Sequence, residues 1–90
     1  MPQLSDNAIL HRFEMEEKGL IAFANYRRSG DNYNLTHVES PMALRNTGTA
    51  GRLMEAIVDH ARTHALTLTP SCSYAVAWFR RHPDAADVKA

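Results

Sequence analysis

Hydrophobic and polar residues alternate in three stretches of the first forty positions. Residues 8–16, 20–28 and 33–39 place apolar side chains at every second position, which is the period of a β-strand. In the first stretch, the face that we expect to be buried carries Ile9, His11, Phe13 and Met15. In the third stretch, one face carries Tyr33, Leu35, His37 and Glu39. Turn-forming residues separate the stretches, so the pattern predicts a three-stranded antiparallel meander.

The second stretch begins with an unbroken apolar run from Leu20 to Ala24. Apolar side chains on both faces are typical of a strand in the middle of a sheet. We therefore expect residues 20–28 to form the central strand. Pro41 ends the strand that follows, because proline donates no ladder hydrogen bond.

The pattern changes to a helical period after the third strand. Apolar residues recur three or four positions apart at Ala50, Leu53, Met54, Ile57, Val58, Ala61 and Ala65. They predict an amphipathic helix over roughly residues 48–65. A short strand over 66–69 and a second helix from about 73 to 82 follow, and Pro83 stops that helix. We expect the small, charged tail, 84–90, to fray.

The predicted order β-β-β-α-β-α describes an α/β fold (α+β in some schemes) with helices packed on a mixed, twisted sheet. A strand, a crossover helix and a second strand usually form a parallel pair. Each helix follows a strand, so both helices begin near one edge of the sheet, where α/β proteins bind anionic ligands. We expect a single domain spanning residues 1–90.

Composition narrows the class of protein. Ten Lys and Arg residues balance ten Asp and Glu residues, and this neutral charge gives no support for a nucleic-acid partner. The only cysteine, Cys72, excludes an internal disulfide and fits a reducing compartment. No apolar run approaches the roughly 20 residues that cross a bilayer. We therefore expect a soluble cytoplasmic protein with no membrane or nucleic-acid partner.

The segment from Ala43 to Leu53 joins the third strand to the first helix. It contains Arg45, Gly48 and Gly51 where the helix begins, and backbone N–H groups lack partners at such a position. A loop of this composition could cradle a phosphate, or it could be only a turn. The loop by itself does not decide between the two interpretations.

Cys72 lies at or beside the predicted start of the second helix. That position favours the thiolate and a reactive cysteine, whereas a small buried residue is the alternative interpretation. A tyrosine-phosphatase site is excluded, because it needs an arginine six residues after the cysteine and Trp78 occupies that position.

Other polar residues also have two interpretations. His37 could act as a general base, or it could be a partly exposed strand residue. His60 and His64 have the i, i+4 spacing that suits a metal, but no third ligand is evident, and we expect no metal site. Tyr74 and Arg80 could reach the crevice, or they could serve packing and solvation alone.

Two parts of the sequence together resemble a known family. The acetyl-CoA-binding motif of Gcn5-related N-acetyltransferases resembles the run Leu35-Thr36-His37, Pro41 and the loop Leu44-Arg45-Asn46-Thr47-Gly48-Thr49-Ala50. The closing segment of one compact, single-domain branch of that family is similar to Pro70-Ser71-Cys72-Ser73-Tyr74 and to Phe79-Arg80-Arg81-His82-Pro83. The resemblance covers roughly residues 9–88.

This resemblance implies a minimal acetyltransferase fold with acetyl-CoA as cosubstrate, no metal, and an unidentified amine as acceptor. The pantetheine arm would lie between the third and fourth predicted strands, and the diphosphate would lie on the backbone N–H groups of the loop. The resemblance also implies that Cys72 is a catalytic nucleophile with His37 close to it. The predicted CoA-binding residues are Leu44, Arg45, Asn46, Thr47, Gly48, Thr49, Ala50, Tyr74 and Arg80.

The chain departs from the branch at two positions. Asn46 stands where the branch usually has glycine, and asparagine tolerates left-handed backbone angles better than most residues do. Val38 stands where the branch tends to have threonine, so a hydroxyl that would assist the chemistry is absent.

Three functions remain open from the sequence. The first is acetyl transfer from acetyl-CoA to an amine, either directly or through an acyl-Cys72 intermediate. The second is a CoA-binding or acyl-CoA-binding module without efficient transfer. The third is an interaction protein in which the loop is only a turn.

Overall fold

The structure, a computed structural model, describes residues 4–90 as one five-stranded sheet with two α-helices. The strands are β1 (Leu4–Asn7), β2 (Arg12–Glu17), β3 (Leu20–Ser29), β4 (Asn32–Glu39) and β5 (Thr67–Pro70), in that order across the sheet. The helices are α1 (Thr49–Thr63) and α2 (Ser73–Arg81), and 3-10 turns cover Met42–Leu44 and Pro83–Val88. Strands β1 to β4 pair antiparallel and β5 pairs parallel with β4. The predicted mixed sheet with a crossover helix is therefore confirmed.

The first predicted strand, 8–16, is wrong at its beginning. Residues 8–11 form a turn between β1 and β2, and Ile9 is 90% exposed. The Asn7 side chain accepts a hydrogen bond from the Leu10 N–H at 3.1 Å, and His11 has φ of 55°. This left-handed residue prevents a strand from running through the turn. The expectation for Phe13 is confirmed, because it is fully buried.

Side chains from the sheet and from both helices form a single hydrophobic core. The sheet contributes Phe13, Met15, Ala22, Ala24, Tyr26, Tyr33, Leu35 and Leu68. The helices contribute Leu53, Met54, Ile57, Val58, Ala61, Ala75, Trp78 and Phe79. Burial of a large apolar side chain contributes about 1.5–3 kcal/mol, so this face dominates the stability of the fold.

Strand β3 is central as predicted, but its first residues are not covered on both sides. Leu20 and Ile21 are 37% and 43% exposed, whereas Ala22 and Ala24 are fully buried. By strand alternation, Ile21 and Phe23 lie on the face opposite Ala22 and Ala24, away from the helices. We call this second face the outer face of the sheet.

A bulge at Thr36 changes the alternation of β4. Leu35 pairs with Tyr26 and His37 pairs with Asn25, so Thr36 has no partner in β3. The extra residue moves every later side chain to the other face. The expectation that His37 shares a face with Tyr33 and Leu35 is therefore wrong, and His37 lies on the outer face.

The tail also differs from the prediction. The 3-10 turn after α2 packs Ala85 and Val88 into the core with 1% and 3% exposure, so this segment does not fray. Arg62 on α1 holds it through a bidentate contact with Asp87, at 2.7 and 2.8 Å. The small residues that suggested a disordered tail are what permits its close packing.

Candidate functional site

A pocket of about 380 Å³ lies between the end of β4 and the start of α1. Residues of the β4–α1 connection and of the first turn of α1 form most of its wall, and Tyr74 reaches it from α2. The lining residues are Val38, Glu39, Ser40, Leu44, Arg45, Asn46, Gly48, Thr49, Ala50, Gly51 and Tyr74. The pocket thus brings together every predicted loop residue except Thr47, and it includes Tyr74.

A gap between β4 and β5 continues from this pocket. The two strands pair only as far as Leu35 and Pro70, while β4 runs on to Glu39. The Leu35 carbonyl accepts hydrogen bonds from the N–H groups of Ser71 at 3.0 Å and Cys72 at 3.3 Å, which turns the chain away from β4. Beyond this point no strand within residues 4–90 covers that edge of β4, so its backbone groups are open to a ligand.

The connection reaches α1 through two left-handed residues. Asn46 has φ of 65°, and Gly48, the N-cap of α1, has φ of 85°. Within residues 4–90 no side chain caps the first turn of α1. The N–H groups of this first turn have no intrahelical partners by geometry, and its residues Thr49 to Gly51 line the pocket. Together they form a small region of positive potential that suits an anion.

A network of side chains from β2 and α1 supports the first turn of α1. The Thr49 hydroxyl, in a residue that is 1% exposed, donates to Glu17 at 2.6 Å. Arg52 donates to the same carboxylate from Nε at 2.6 Å and from Nη2 at 2.9 Å. The hydrogen bonds from Arg52 and then Thr49 lower the pKa of Glu17 to about 2, from an ordinary 4.5.

Cys72 lies at the start of α2, as expected, and it is the residue that caps this helix, where Ser71 and Ser73 were the candidates from the sequence. Its Sγ accepts a hydrogen bond from the Ala75 N–H at 3.4 Å, and the residue is half-buried against the core. The sulfur therefore has a structural role that accounts for its position. Cys72 is not among the residues that line the 380 Å³ pocket.

His37 lies on the outer face with its ring centroid 6.2 Å from that of Phe23. Its Nε2 is 3.1 Å from Glu39 Oε1, and both side chains are about half exposed, at 53% and 50%. Glu39 also lines the pocket, so the pair stands beside the pocket and the gap. The two predicted catalytic residues lie on different faces of the sheet: Cys72 packs on the helix side and His37 lies on the outer side.

Comparison with known proteins bears on what this pocket is. A family model described as GCN5-related N-acetyl-transferase matches residues 12–88. The chain belongs to this family. A solution structure of a GCN5-like N-acetyltransferase candidate from Staphylococcus aureus matches with a TM-score of 0.67 and 22% sequence identity, over 98% of this chain and 87% of that one. At this identity the match shows the fold.

Members of the GCN5-related family typically use acetyl-CoA. The first departure from the expected branch pattern has a structural explanation, because Asn46 adopts the left-handed angle that favours glycine. The second departure, Val38, is half-buried against the core and lines the pocket, so its apolar side chain forms part of the wall.

Arg80 is the predicted CoA-binding residue that the structure places elsewhere. It lines a separate pocket of about 330 Å³ with Lys89, beside β5 and the end of the chain. The histidine pair on α1 is also apart from the loop: the rings of His60 and His64 are 4.4 Å apart, and burial, together with His64, lowers the pKa of His60. In the part of the chain that the structure describes, no three His, Cys, Asp or Glu residues are grouped as metal ligands would be.

Glu17, Arg52 and Ser40 are the residues near the site that the sequence interpretation missed. A signal for Glu17 is present in the sequence, because it falls on the same inward-facing strand positions as Phe13 and Met15, and a carboxylate on a buried face needs partners.

None of the helices between residues 4 and 90 is both long and apolar enough to span a membrane.

Proposed function

We propose that this chain binds acetyl-CoA at the 380 Å³ pocket and transfers the acetyl group to an amine. The observation that carries the proposal is the uncapped first turn of α1, which opens onto a pocket at the end of β4. Backbone N–H groups in this arrangement suit a diphosphate, and family membership supplies acetyl-CoA as the ligand that contains one.

The pocket and the gap suit different parts of CoA. Arg45 is exposed at the pocket rim and adds positive charge near the proposed diphosphate site. The uncovered edge of β4 offers backbone groups to the amides of the pantetheine arm. Tyr74 borders the pocket from α2. The residues present therefore fit the cosubstrate without a metal ligand set.

The acetyl-transfer step forms a carbon–nitrogen bond and breaks a carbon–sulfur bond. The acceptor nitrogen attacks the thioester carbonyl carbon, the carbon–sulfur bond breaks, and CoA leaves as a thiolate. We assign the proton of the nitrogen to the imidazole of His37, which Glu39 orients at 3.1 Å on the outer face. The acceptor would approach the gap from the outer face, which no helix between residues 4 and 90 covers.

An acyl-Cys72 intermediate is the second route. Here the Cys72 thiolate attacks the carbonyl carbon of the acetyl thioester and CoA leaves as a thiolate. The amine then attacks the carbonyl carbon of the acetyl-Cys72 thioester, and the Cys72 thiolate is released. Intact-protein mass spectrometry after mixing with acetyl-CoA tests this route. We expect an acetyl increment that is lost in Cys72→Ala if the cysteine route operates, and an unmodified protein with undiminished turnover in Cys72→Ala if the amine attacks directly.

A CoA-binding module without transfer is the alternative function. The cap on α2 favours it, because the Cys72 sulfur that accepts the Ala75 N–H already has a structural role. Calorimetry with CoA, combined with turnover on a panel of primary amines, distinguishes the two functions. Tight binding with no turnover on any amine would support the module, and turnover that falls in His37→Ala would support the transferase.

Failure of both functions is also measurable. A ligand that binds only the folded state must raise the melting temperature when its concentration greatly exceeds Kd. If millimolar CoA leaves the melting temperature unchanged, the β4–α1 connection is only a turn and both proposals fail.

A further inference from the structure

Glu17 is distant in sequence from the β4–α1 connection but is hydrogen-bonded to its helix. It lies at the end of β2, beside the tight turn that leads to β3, and its carboxylate contacts Thr49 and Arg52 on α1. Three hydrogen bonds of 2.6, 2.6 and 2.9 Å converge on this one side chain. Such a dense, charge-assisted set is stronger than an ordinary surface ion pair.

We propose that Glu17 is a positioning residue for the diphosphate of CoA, acting through Arg52 and Thr49. The proposal rests on the proposed function, because it concerns the ligand of that pocket. Glu17 does not contact the loop backbone itself, so its effect must pass through the two side chains that it holds.

Arg52 is the first link. A Cβ built on Gly48 would lie 2.9 Å from Arg52 Nη1, so the guanidinium occupies the space beside the N-cap of α1. Glu17 fixes the guanidinium there through two hydrogen bonds. Held in this way, Arg52 buttresses the left-handed Gly48 and keeps the first turn of α1 in place.

Thr49 is the second link. Its hydroxyl donates to Glu17, and its Oγ1 lies 2.9 Å from the Thr47 Oγ1, which donates to the Leu44 carbonyl. Each hydroxyl donates its one proton elsewhere, so the two threonines are in contact without a hydrogen bond between them. These contacts extend from β2 to the beginning of the connection and use only side chains and one carbonyl. No side chain among residues 4–90 caps the first turn of α1, so its backbone N–H groups are available to the anion.

Charge alone and positioning predict opposite changes in CoA affinity when Glu17 is substituted. A carboxylate near an anion site repels the anion, so its removal should tighten CoA binding if charge alone matters. If Glu17 positions the turn, its removal should weaken binding because the N–H groups lose their arrangement. The direction of the change in Kd therefore distinguishes positioning from a charge effect.

The test is calorimetric titration of folded Glu17→Gln with CoA, with ADP, and with pantetheine, which lacks the diphosphate. We expect CoA and ADP to bind about tenfold more weakly than to the wild type, as loss of a charge-assisted hydrogen bond allows. We expect pantetheine binding to be unchanged. Equal or tighter CoA binding, or an equal loss for pantetheine, would overturn the proposal.

Asp87→Asn provides the matched control. Asp87 also holds an arginine of α1 through two hydrogen bonds, of 2.7 and 2.8 Å, but it lies in the segment after α2 and does not line the pocket. This variant should lose stability without any change in CoA affinity. A similar loss of affinity in both variants would show that general destabilisation, and not positioning, is responsible.

Two further measurements keep the outcome decisive. The double variant Glu17→Gln/Arg52→Gln should bind CoA as tightly as whichever single variant binds it less tightly. The two losses should not add, because both substitutions break the same network. If Glu17→Gln does not fold, Thr49→Val removes the hydroxyl with little change of shape and should weaken CoA and ADP binding, but not pantetheine binding. Wild-type protein that binds neither CoA nor ADP would reject the proposed function, and this inference with it.

Discussion

Helix α1 begins at Gly48, which offers no side chain to its first turn, whereas α2 begins at Cys72, whose sulfur accepts the Ala75 N–H. Both helices follow a strand, and sequence alone predicted an anion site at the shared edge. The structure distinguishes them, since the first turn of α1 has no side-chain cap within residues 4–90 and that of α2 does. A helix start is therefore available to a ligand only where the protein leaves it uncapped.

The largest expected effect comes from giving α1 a side chain at its N-cap. Gly48→Ala places a Cβ on a residue with φ of 85°, 2.9 Å from Arg52 Nη1. We expect CoA affinity to fall by about 2 kcal/mol, or about thirtyfold in Kd, because the turn must rearrange. Gly30→Ala, with φ of 59° and no atom near its Cβ, serves as the control by calorimetry. It should lose stability but keep its CoA affinity, and a matching loss of affinity would refute the comparison.

The second effect concerns how the uncapped turn is stabilised. Arg52 and Thr49 hold the pKa of Glu17 at about 2 in the folded state, below its ordinary 4.5. A depressed carboxylate pKa gives stability that is complete above pH 4.5 and is lost as pH falls towards 2. Urea unfolding across this range should show the wild type losing about 1 kcal/mol more than Glu17→Gln, after allowance for the partly exposed Arg52.

A residual pH dependence is expected in Glu17→Gln. Hydrogen bonding to Arg62 also lowers the pKa of Asp87, and this contribution is present in both proteins. Identical pH profiles for wild type and variant would mean that Glu17 does not stabilise the start of α1.

The third effect tests the capped helix. Cys72→Ala removes the acceptor of the Ala75 N–H and should cost about 0.5 kcal/mol in thermal or urea unfolding, at the low end for caps because sulfur is a weak acceptor. Cys72→Ser supplies a preferred N-cap and should be at least as stable as the wild type. Neither variant should change the Kd for CoA. Weaker CoA binding in both would mean that the start of α2 also belongs to the ligand site.

The smallest effect is expected at Asn46. Asn46→Gly should change CoA affinity by less than about twofold, because both residues accept the observed φ of 65°. Asn46→Val is the contrasting variant, since a β-branched residue is strained at this angle and should weaken binding clearly. A large gain of affinity in Asn46→Gly would instead show that asparagine impairs this connection.

Much of the fold could be predicted because burial on one face imposes a period on the sequence. The helical spacing from Ala50 to Ala61 and the alternation around Phe13 correspond to elements that the structure contains. Strand β1 was missed because its sequence, Leu-Ser-Asp-Asn, is mostly polar. Ile9 extended the next strand too far, since an apolar residue in an exposed turn follows the strand pattern by coincidence.

The candidate site was predictable where it depends on backbone conformation, and less so where it depends on the direction in which a side chain points. Glycine and asparagine in the β4–α1 connection indicated left-handed residues, and the structure has them at Gly48 and Asn46. Arg80 was assigned to the CoA site from the family resemblance, but its side chain lines another pocket. The contact of Glu17 with Arg52 joins residues 35 apart, which no local pattern reveals.

The single extra residue at Thr36 has a consequence for how this architecture tolerates change. The bulge lets one strand serve the core with its first half and the outer face with its second half. The face on which His37 lies thus depends on its pairing with Asn25 and not on the chemistry of its neighbours. Deletion of Thr36 should keep Leu35 opposite Tyr26 and His37 opposite Asn25, because it only restores regular alternation. Pairing of Thr36 itself with Asn25 would instead send His37 inward and Val38 to solvent. A shift in the register of β4 against β3, and not loss of the bulged residue, is therefore the change that this arrangement can least absorb.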